Sequence, residues 1–266
     1  MSAYYNENDP FAAEWLRQLI RAGVIAPGDV DDRSIVDVTP VELKSYSQCH
    51  FFAGIGVWSY ALRQAGWPDD KPVWTGSCPC QPFSAAGKRG GPSDDRDLWW
   101  ALFWLISQRQ PETVFGEQVA SKDGLSWWDT VQTDLEGAGY AATAFDLCAA
   151  GIGAPHIRQR LFWVADSRQQ GLEKLSIKPA WTERQTTERG SQASNHDRPS
   201  PTNGFWRAAD WLWCRDNRRR PVEPGTFPLA HGAPARVGRL RGYGNAIVAP
   251  LAQAFIEAYQ EINYAN

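Results

Sequence analysis

Apolar positions along this chain switch between the helical period and short buried runs. Phe11, Trp15, Leu16, Leu19 and Ile20 fall on one helical stripe, with Asp9 as N-cap, Pro10 in the first turn and Gly23 as the stop. The acidic stretch Gly28 to Asp32 reads as a loop, so residues 1–46 are expected to form a helical extension packed on the main domain. Gln48 to Gly56 reads as a short strand running into a glycine turn. Trp58, Ala61, Leu62 and Ala65 follow at i, i+3, i+4, i+7 and predict a helix ending near Gly66. Leu98, Leu102, Leu105 and Ile106 mark a helix between Asp97 and Gln108, and Thr113 to Phe115 a buried strand after Pro111. Leu125, Trp128, Val131 and Leu135 mark another helix, Tyr140 to Cys148 and Leu161 to Ala165 two more strands, and Leu251, Phe255, Ile256 and Tyr259 a last helix.

Strands alternating with helices predict an α/β fold around a mostly parallel sheet. Strand, glycine turn and helix is the opening unit of a nucleotide-binding sheet, and Gly54 and Gly56 would let a ligand approach the backbone. A Gly-x-Gly pair standing alone is equally a plain structural turn. From Asp166 to about Phe205 apolar residues thin out, which predicts a loop-rich segment. Trp206, Trp211 and Trp213 then interleave with Arg207, Arg215, Arg218, Arg219 and Arg220. Basic groups neutralise phosphates and aromatic faces stack on bases, although a solvated basic turn beside a small tryptophan core has the same composition.

Composition narrows the setting. The chain has 266 residues, enough for a full core, and five cysteines without a regular pattern, which argues against a disulfide scaffold. The polar amino terminus does not read as a signal peptide, and no apolar run is long enough for a membrane span. A soluble cytoplasmic protein, monomeric and without membrane association, is expected. The net charge of −3 carries no global signature of nucleic-acid binding, although a local basic region would suffice.

The sharpest chemical feature is Gly76-Ser77-Cys78-Pro79-Cys80-Gln81-Pro82-Phe83-Ser84. Pro79 and Pro82 lack backbone donors and bias their predecessors toward extended conformations, so a rigid loop should hold Cys80 out of the core. A lone cysteine is more often a small buried hydrophobe. Zinc is disfavoured, because the Cys78 and Cys80 pair is spaced too closely and no second pair follows, so no metal is expected. Glu117 sits just past the expected strand at Thr113 to Phe115, where α/β sheets place ligands. Arg158 and Arg160, two apart, would face the same side of an extended segment.

Taken jointly these segments resemble the C5-cytosine DNA methyltransferases. The motifs are Phe52-Ala53-Gly54-Ile55-Gly56, Pro79-Cys80-Gln81-Pro82-Phe83-Ser84, Glu117-Gln118-Val119, Arg158-Gln159-Arg160 and Gly244-Asn245-Ala246, and they follow the family's order. The resemblance implies an S-adenosylmethionine-dependent, Rossmann-like methyltransferase sheet with a small target-recognition insertion. The division is then an extension at 1–46, a catalytic domain at 47–166, a recognition region at 167–230 and a returning segment at 231–266. Phe52, Ala53, Gly54, Ile55, Gly56, Pro79 and Asn245 would line the cofactor site. Cys80 would be the nucleophile, Glu117 the contact to the cytosine ring, and Arg158 and Arg160 the arginine motif that completes the catalytic set. Gln81, Ser84, Arg207, Arg215, Arg218 and Arg219 would meet double-stranded DNA. The implied biology is a minimal phage or prophage enzyme protecting DNA from restriction, with a cognate restriction endonuclease as the implied partner. The alternatives are a DNA-binding relic of the family and an RNA cytosine-5 methyltransferase.

The chemistry fits these residue types. A thiolate adding to carbon 6 of cytosine breaks the aromaticity and makes carbon 5 nucleophilic, while a carboxyl group at ring nitrogen 3 stabilises the adduct. A stacked base is out of reach, so the nucleotide must be flipped. This sequence departs from the family at His50, Val57, Gln118 and His156, where aspartate, glycine, asparagine and glutamine are usual. The link from Val57 to Gly76 is also too short for the β-α units that normally carry the acidic cofactor contacts. Asp69, Asp70 or the amino-terminal extension are the alternative sources of a carboxylate.

Overall fold

The computed structural model describes residues 2–79, 98–152, 154, 158–168, 210–213, 219–222 and 246–264. Its centre is a seven-stranded sheet of strands β1 (Ser2–Asn6), β2 (Gly28–Asp31), β3 (Tyr46–Phe51), β4 (Val73–Gly76), β5 (Thr113–Val119), β6 (Ala141–Cys148) and β7 (Gln159–Asp166). The spatial order is β2-β1-β3-β4-β5-β7-β6. The first five strands pair in parallel, and β7 runs antiparallel between β5 and β6. Among the described residues the helices are α1 (Pro10–Arg21), α2 (Val57–Gln64), α3 (Trp99–Arg109), α4 (Lys122–Gly137) and α5 (Ala249–Tyr264).

Side chains alternate across each strand, and the alternation sorts the helices into two layers. Tyr4, Cys49, Phe51, Trp74, Val114 and Trp163 face α3 and α4, packing with Leu102, Leu105, Ile106, Val131 and Leu135. On the opposite face Val73, Phe115, Phe162 and Val164 pack with Trp58 and Leu62 of α2 and Phe255 and Ile256 of α5. Ala3 and Tyr5 extend that face against Leu16 of α1. The mostly parallel sheet agrees with the expectation from the sequence, and helices cover both of its faces.

The first 46 residues correct the expectation of an extension. Asp9 does cap α1, accepting from the backbone N–H groups of Phe11 and Ala12. However, Ser2–Asn6 and the acidic stretch beginning at Gly28 are parallel strands of the central sheet, not an appendage and a loop. β1 is only five residues long and β2 is half acidic, so periodicity does not reveal them. What stabilises them is tertiary: the Tyr5 side chain is fully buried, and its ring stacks on His50 at 4.9 Å between centroids.

Between β7 and α5 the described residues include one antiparallel strand pair, β8 (Asp210–Trp213) with β9 (Arg219–Val222), in which Trp213 pairs with Arg219.

Candidate active site

The parallel strands end in register. Asp31 of β2, Asn6 of β1, Phe51 of β3, Gly76 of β4 and Gly116 of β5 lie side by side across the sheet. The next residue of each strand therefore emerges at one edge: Asp32, Glu7, Phe52, Ser77 and Glu117. This is the carboxyl edge, where open α/β sheets bind ligands.

The glycine turn Phe52 to Gly56 stands at the middle of that edge. Phe52 adopts φ 52°, Gly54 φ 55° and Gly56 φ 79°. The left-handed region costs a non-glycine residue roughly 1–2 kcal/mol, and Phe52 offsets this by packing against the core. A Cβ placed on Gly54 would meet no described atom within 4 Å, whereas one on Gly56 would press on Leu16 of α1 at 3.0 Å and Ile25 at 3.2 Å. One glycine thus faces open space and the other seats the turn on the amino-terminal unit. Ala53 N–H donates to the Asn6 carbonyl at 3.0 Å, and Gly54 N–H donates to Glu7 Oε2 at 2.7 Å. Sequence reasoning missed Glu7. Its position just before the Asp9-Pro10 helix start was visible, but its place beside the turn depends on the pairing of β1 with β3.

Glu117 lies inside β5 instead of just beyond it, because β5 continues past its last pair with β4 to pair with β7. Its side chain is buried at the carboxyl edge, and Arg160 Nε contacts Oε1 at 2.7 Å across the antiparallel pair. Burial raises the Glu117 carboxyl to about 7, against the opposing pull of Arg160 and Arg158. The group is therefore poised between proton donor and anion at neutral pH. Arg158 Nη2 donates to the Ala246 carbonyl at 2.5 Å and ties the arginine motif to the segment entering α5.

The entrance to the cysteine loop is fixed from two sides. Trp58 Nε1 donates to Ser77 Oγ at 3.0 Å, and Gly76 lies so close to Leu102 that a Cβ would come within 2.5 Å of its Cδ2. Pro79 is the last described residue before the loop. Cys80, Gln81, Ser84, His156, Arg207, Arg215, Arg218 and Asn245 lie outside the described residues. Arg219 is described as a member of β9.

One of the family departures has a structural explanation. His50 is a core residue, its Nδ1 within 2.9 Å of Thr75 Oγ1, and burial lowers its pKa to about 3. Asp69 does not serve as the substitute carboxylate. It lies before β4, at the opposite end of that strand, and is held by Arg63 at 2.6 Å.

Comparison with known proteins gives a consistent family. The family model for C-5 cytosine-specific DNA methylases matches residues 63–222, more than half of the chain. The type II methyltransferase M.NaeI of Lentzea aerocolonigenes is 32% identical over 166 residues, covering 60% of this chain and 33% of the relative. M.HpaII of Haemophilus parainfluenzae is 30% identical over 115 residues, covering 41% of this chain and 32% of that protein. The matched stretches thus span about a third of the length of these curated relatives. Among solved structures, an E. coli prophage-encoded protein described as a DNA modification methyltransferase aligns over 99% of this chain and 100% of its own, at 13% identity and a TM-score of 0.45. The Dnmt2 methyltransferase of S. pombe aligns over 70% of this chain and 57% of its own, at 14% identity and a TM-score of 0.42. No described helix is long and apolar enough to cross a membrane.

Proposed function

Because this chain belongs to the C-5 cytosine-specific DNA methylase family, we propose that it transfers a methyl group from S-adenosylmethionine to carbon 5 of a cytosine flipped out of duplex DNA. The observation that carries this reading is Glu117: a buried carboxyl at the carboxyl edge, raised to about 7 and gripped by Arg160. A group poised in this way can hold a proton toward ring nitrogen 3 and stabilise the charge that develops there when a nucleophile adds to carbon 6.

Cys80 is the nucleophile in this mechanism. Its thiolate adds to carbon 6, and after loss of the carbon-5 proton the sulfur departs and the ring becomes aromatic again. A thiol both adds and leaves well, which a serine hydroxyl does not. Arg160 is a positioning residue for Glu117, and Arg158 aligns the arginine motif with the segment leading into α5. S-adenosylmethionine, when bound, supplies the electrophilic methyl group that carbon 5 takes. The glycine turn fits such a group, since Gly54 leaves open space at the edge where a nucleoside would lie. The region at 167–230, with its tryptophans and arginines, would hold the DNA.

Methyl transfer from radiolabelled S-adenosylmethionine to mixed-sequence duplex DNA tests the reading. Wild type should place label in 5-methylcytosine and Cys80→Ala should place none. Absence of label with wild type, on DNA that it binds, would favour a non-catalytic relic. Competition by tRNA for the label would favour an RNA substrate.

A further inference from the structure

Trp58 lies beneath the candidate active site. It stands in the first turn of α2, whose N-cap is Gly56 of the glycine turn, and it is buried. Its ring stacks on Phe115 of β5, with 6.0 Å between centroids and 18° between planes, and meets Phe162 of β7 edge-on at 5.9 Å. Phe115 and Glu117 are two apart on β5 and share a face, as do Phe162 and Arg160 on β7. Phe162 also pairs directly with Glu117. The indole N–H of Trp58 reaches a third strand end, donating to Ser77 Oγ at 3.0 Å just past β4. One buried ring thus contacts the three strands that lead to Glu117, to Arg160 and into the cysteine loop.

We propose that Trp58 is a positioning residue for the covalent step: through Ser77 it fixes where the chain leaves β4, and so the reach of Cys80 toward a base at Glu117. An indole N–H is a donor only, so Ser77 must accept, and the stacked ring cannot turn to release it. Cys78, the next residue, is buried in the opposite helix layer, which pins the strand end from both faces. Cys80 follows Ser77 by three residues, about 10 Å of extended chain. Pro79 holds its own φ and biases Cys78 toward an extended conformation, so little slack is left to absorb a shift at Ser77. The rigid helix that begins at the glycine turn therefore also aims the entrance to the cysteine loop. This inference rests on the methyltransferase reading for the identity of the covalent step.

Covalent trapping on mixed-sequence duplex DNA containing 5-fluorocytosine, with S-adenosylmethionine present, tests the proposal. On that base the sulfur–carbon-6 bond forms and the methyl group transfers, but fluorine occupies the place of the departing proton, so the adduct accumulates and is read on a denaturing gel. Trp58→Phe keeps an aromatic ring without the N–H, and Ser77→Ala removes the acceptor. Each should slow single-turnover adduct formation about 10- to 100-fold, the scale for a small misplacement of reacting groups. S-adenosylhomocysteine affinity, read by titration calorimetry, should stay close to wild type. The double variant should be no slower than the slower single one, because both remove the same bond. Trp67→Phe is the control: Trp67 is also buried and meets Phe115 edge-on at 5.9 Å, but its N–H donates to the Lys71 carbonyl at the amino end of β4. It should lower Tm as Trp58→Phe does and leave the trapping rate unchanged. Wild-type rates in Trp58→Phe and Ser77→Ala, losses that multiply in the double variant, or an equal loss in Trp67→Phe would overturn the proposal. A wild type that neither transfers label nor traps the fluorinated base would overturn the methyltransferase reading, and this inference with it.

Discussion

Removal of one hydroxyl from Tyr5 tests whether the amino-terminal unit is part of the cooperative core. Tyr5 lies in β1 and is fully buried. Its hydroxyl donates to the Ala26 carbonyl at 2.7 Å and bonds Ser59 Oγ of α2 at 2.9 Å. The same Ser59 Oγ accepts the Ala26 N–H at 3.1 Å. Three elements are thus stitched by a closed polar cluster, with the segment before β2 joining β1 to α2. Tyr5→Phe keeps the ring and its stack on His50 but leaves Ala26 C=O and Ser59 each short of a partner in a buried site. That costs about 1–3 kcal/mol, since buried groups left unpaired lose more than the hydrogen bond itself contributed. Ser59→Ala orphans the Ala26 N–H and should cost a similar amount. The two variants break one shared bond, so the double variant should lose less than the sum, with a coupling of about 0.5–3 kcal/mol. For a chain of this size about 2 kcal/mol lowers Tm by about 4–8 °C. Thermal unfolding followed by circular dichroism and tryptophan fluorescence should show one transition moving together in both signals. An unchanged Tm in Tyr5→Phe, or loss confined to a separate early transition, would refute the claim that β1 and α1 fold with the sheet.

Other consequences are open to measurement. The raised Glu117 carboxyl is protonated below about 7, so the activity it supports should fall as pH rises through that value; Glu117→Gln should abolish this limb of the profile and lower kcat about 10²- to 10⁴-fold, read by label transfer across pH. A Cβ at Gly116 would lie 2.1 Å from the ring of the fully buried Trp163, so Gly116→Ala should lose about 1–3 kcal/mol or more and shift the tryptophan emission, which denaturant titration would show. His50 has a folded pKa of about 3 against an ordinary 6.5, so between these values the unfolded state takes a proton that the folded state refuses. Stability should therefore fall as pH drops below 6.5, by up to about 1.4 kcal/mol per unit, and a His50→Gln variant should show a shallower acid slope in Tm.

The parts legible in the sequence were those written in local chemistry. Strongly apolar segments such as Leu98 to Ile106 and Leu161 to Ala165 announced their elements because burial on a sheet or helix face needs that spacing. The Cys80 loop and Glu117 carry the resemblance to the family, and the family comparison agrees with that resemblance. The amino-terminal strands were not legible. Ser2 to Asn6 is short, and Gly28 to Asp31 is half acidic, so neither has a local signal strong enough to outweigh the loop reading. Only the tertiary structure placed them beside β3, because pairing is set by which backbone edges meet and not by distance along the chain. That placement brings Glu7 to Gly54 across a sequence separation of 47 residues. The sequence by itself determined which chemical groups this protein has to work with. The fold determined which of them share one edge of the sheet, because a parallel sheet aligns strand ends in space whatever order the chain visits them.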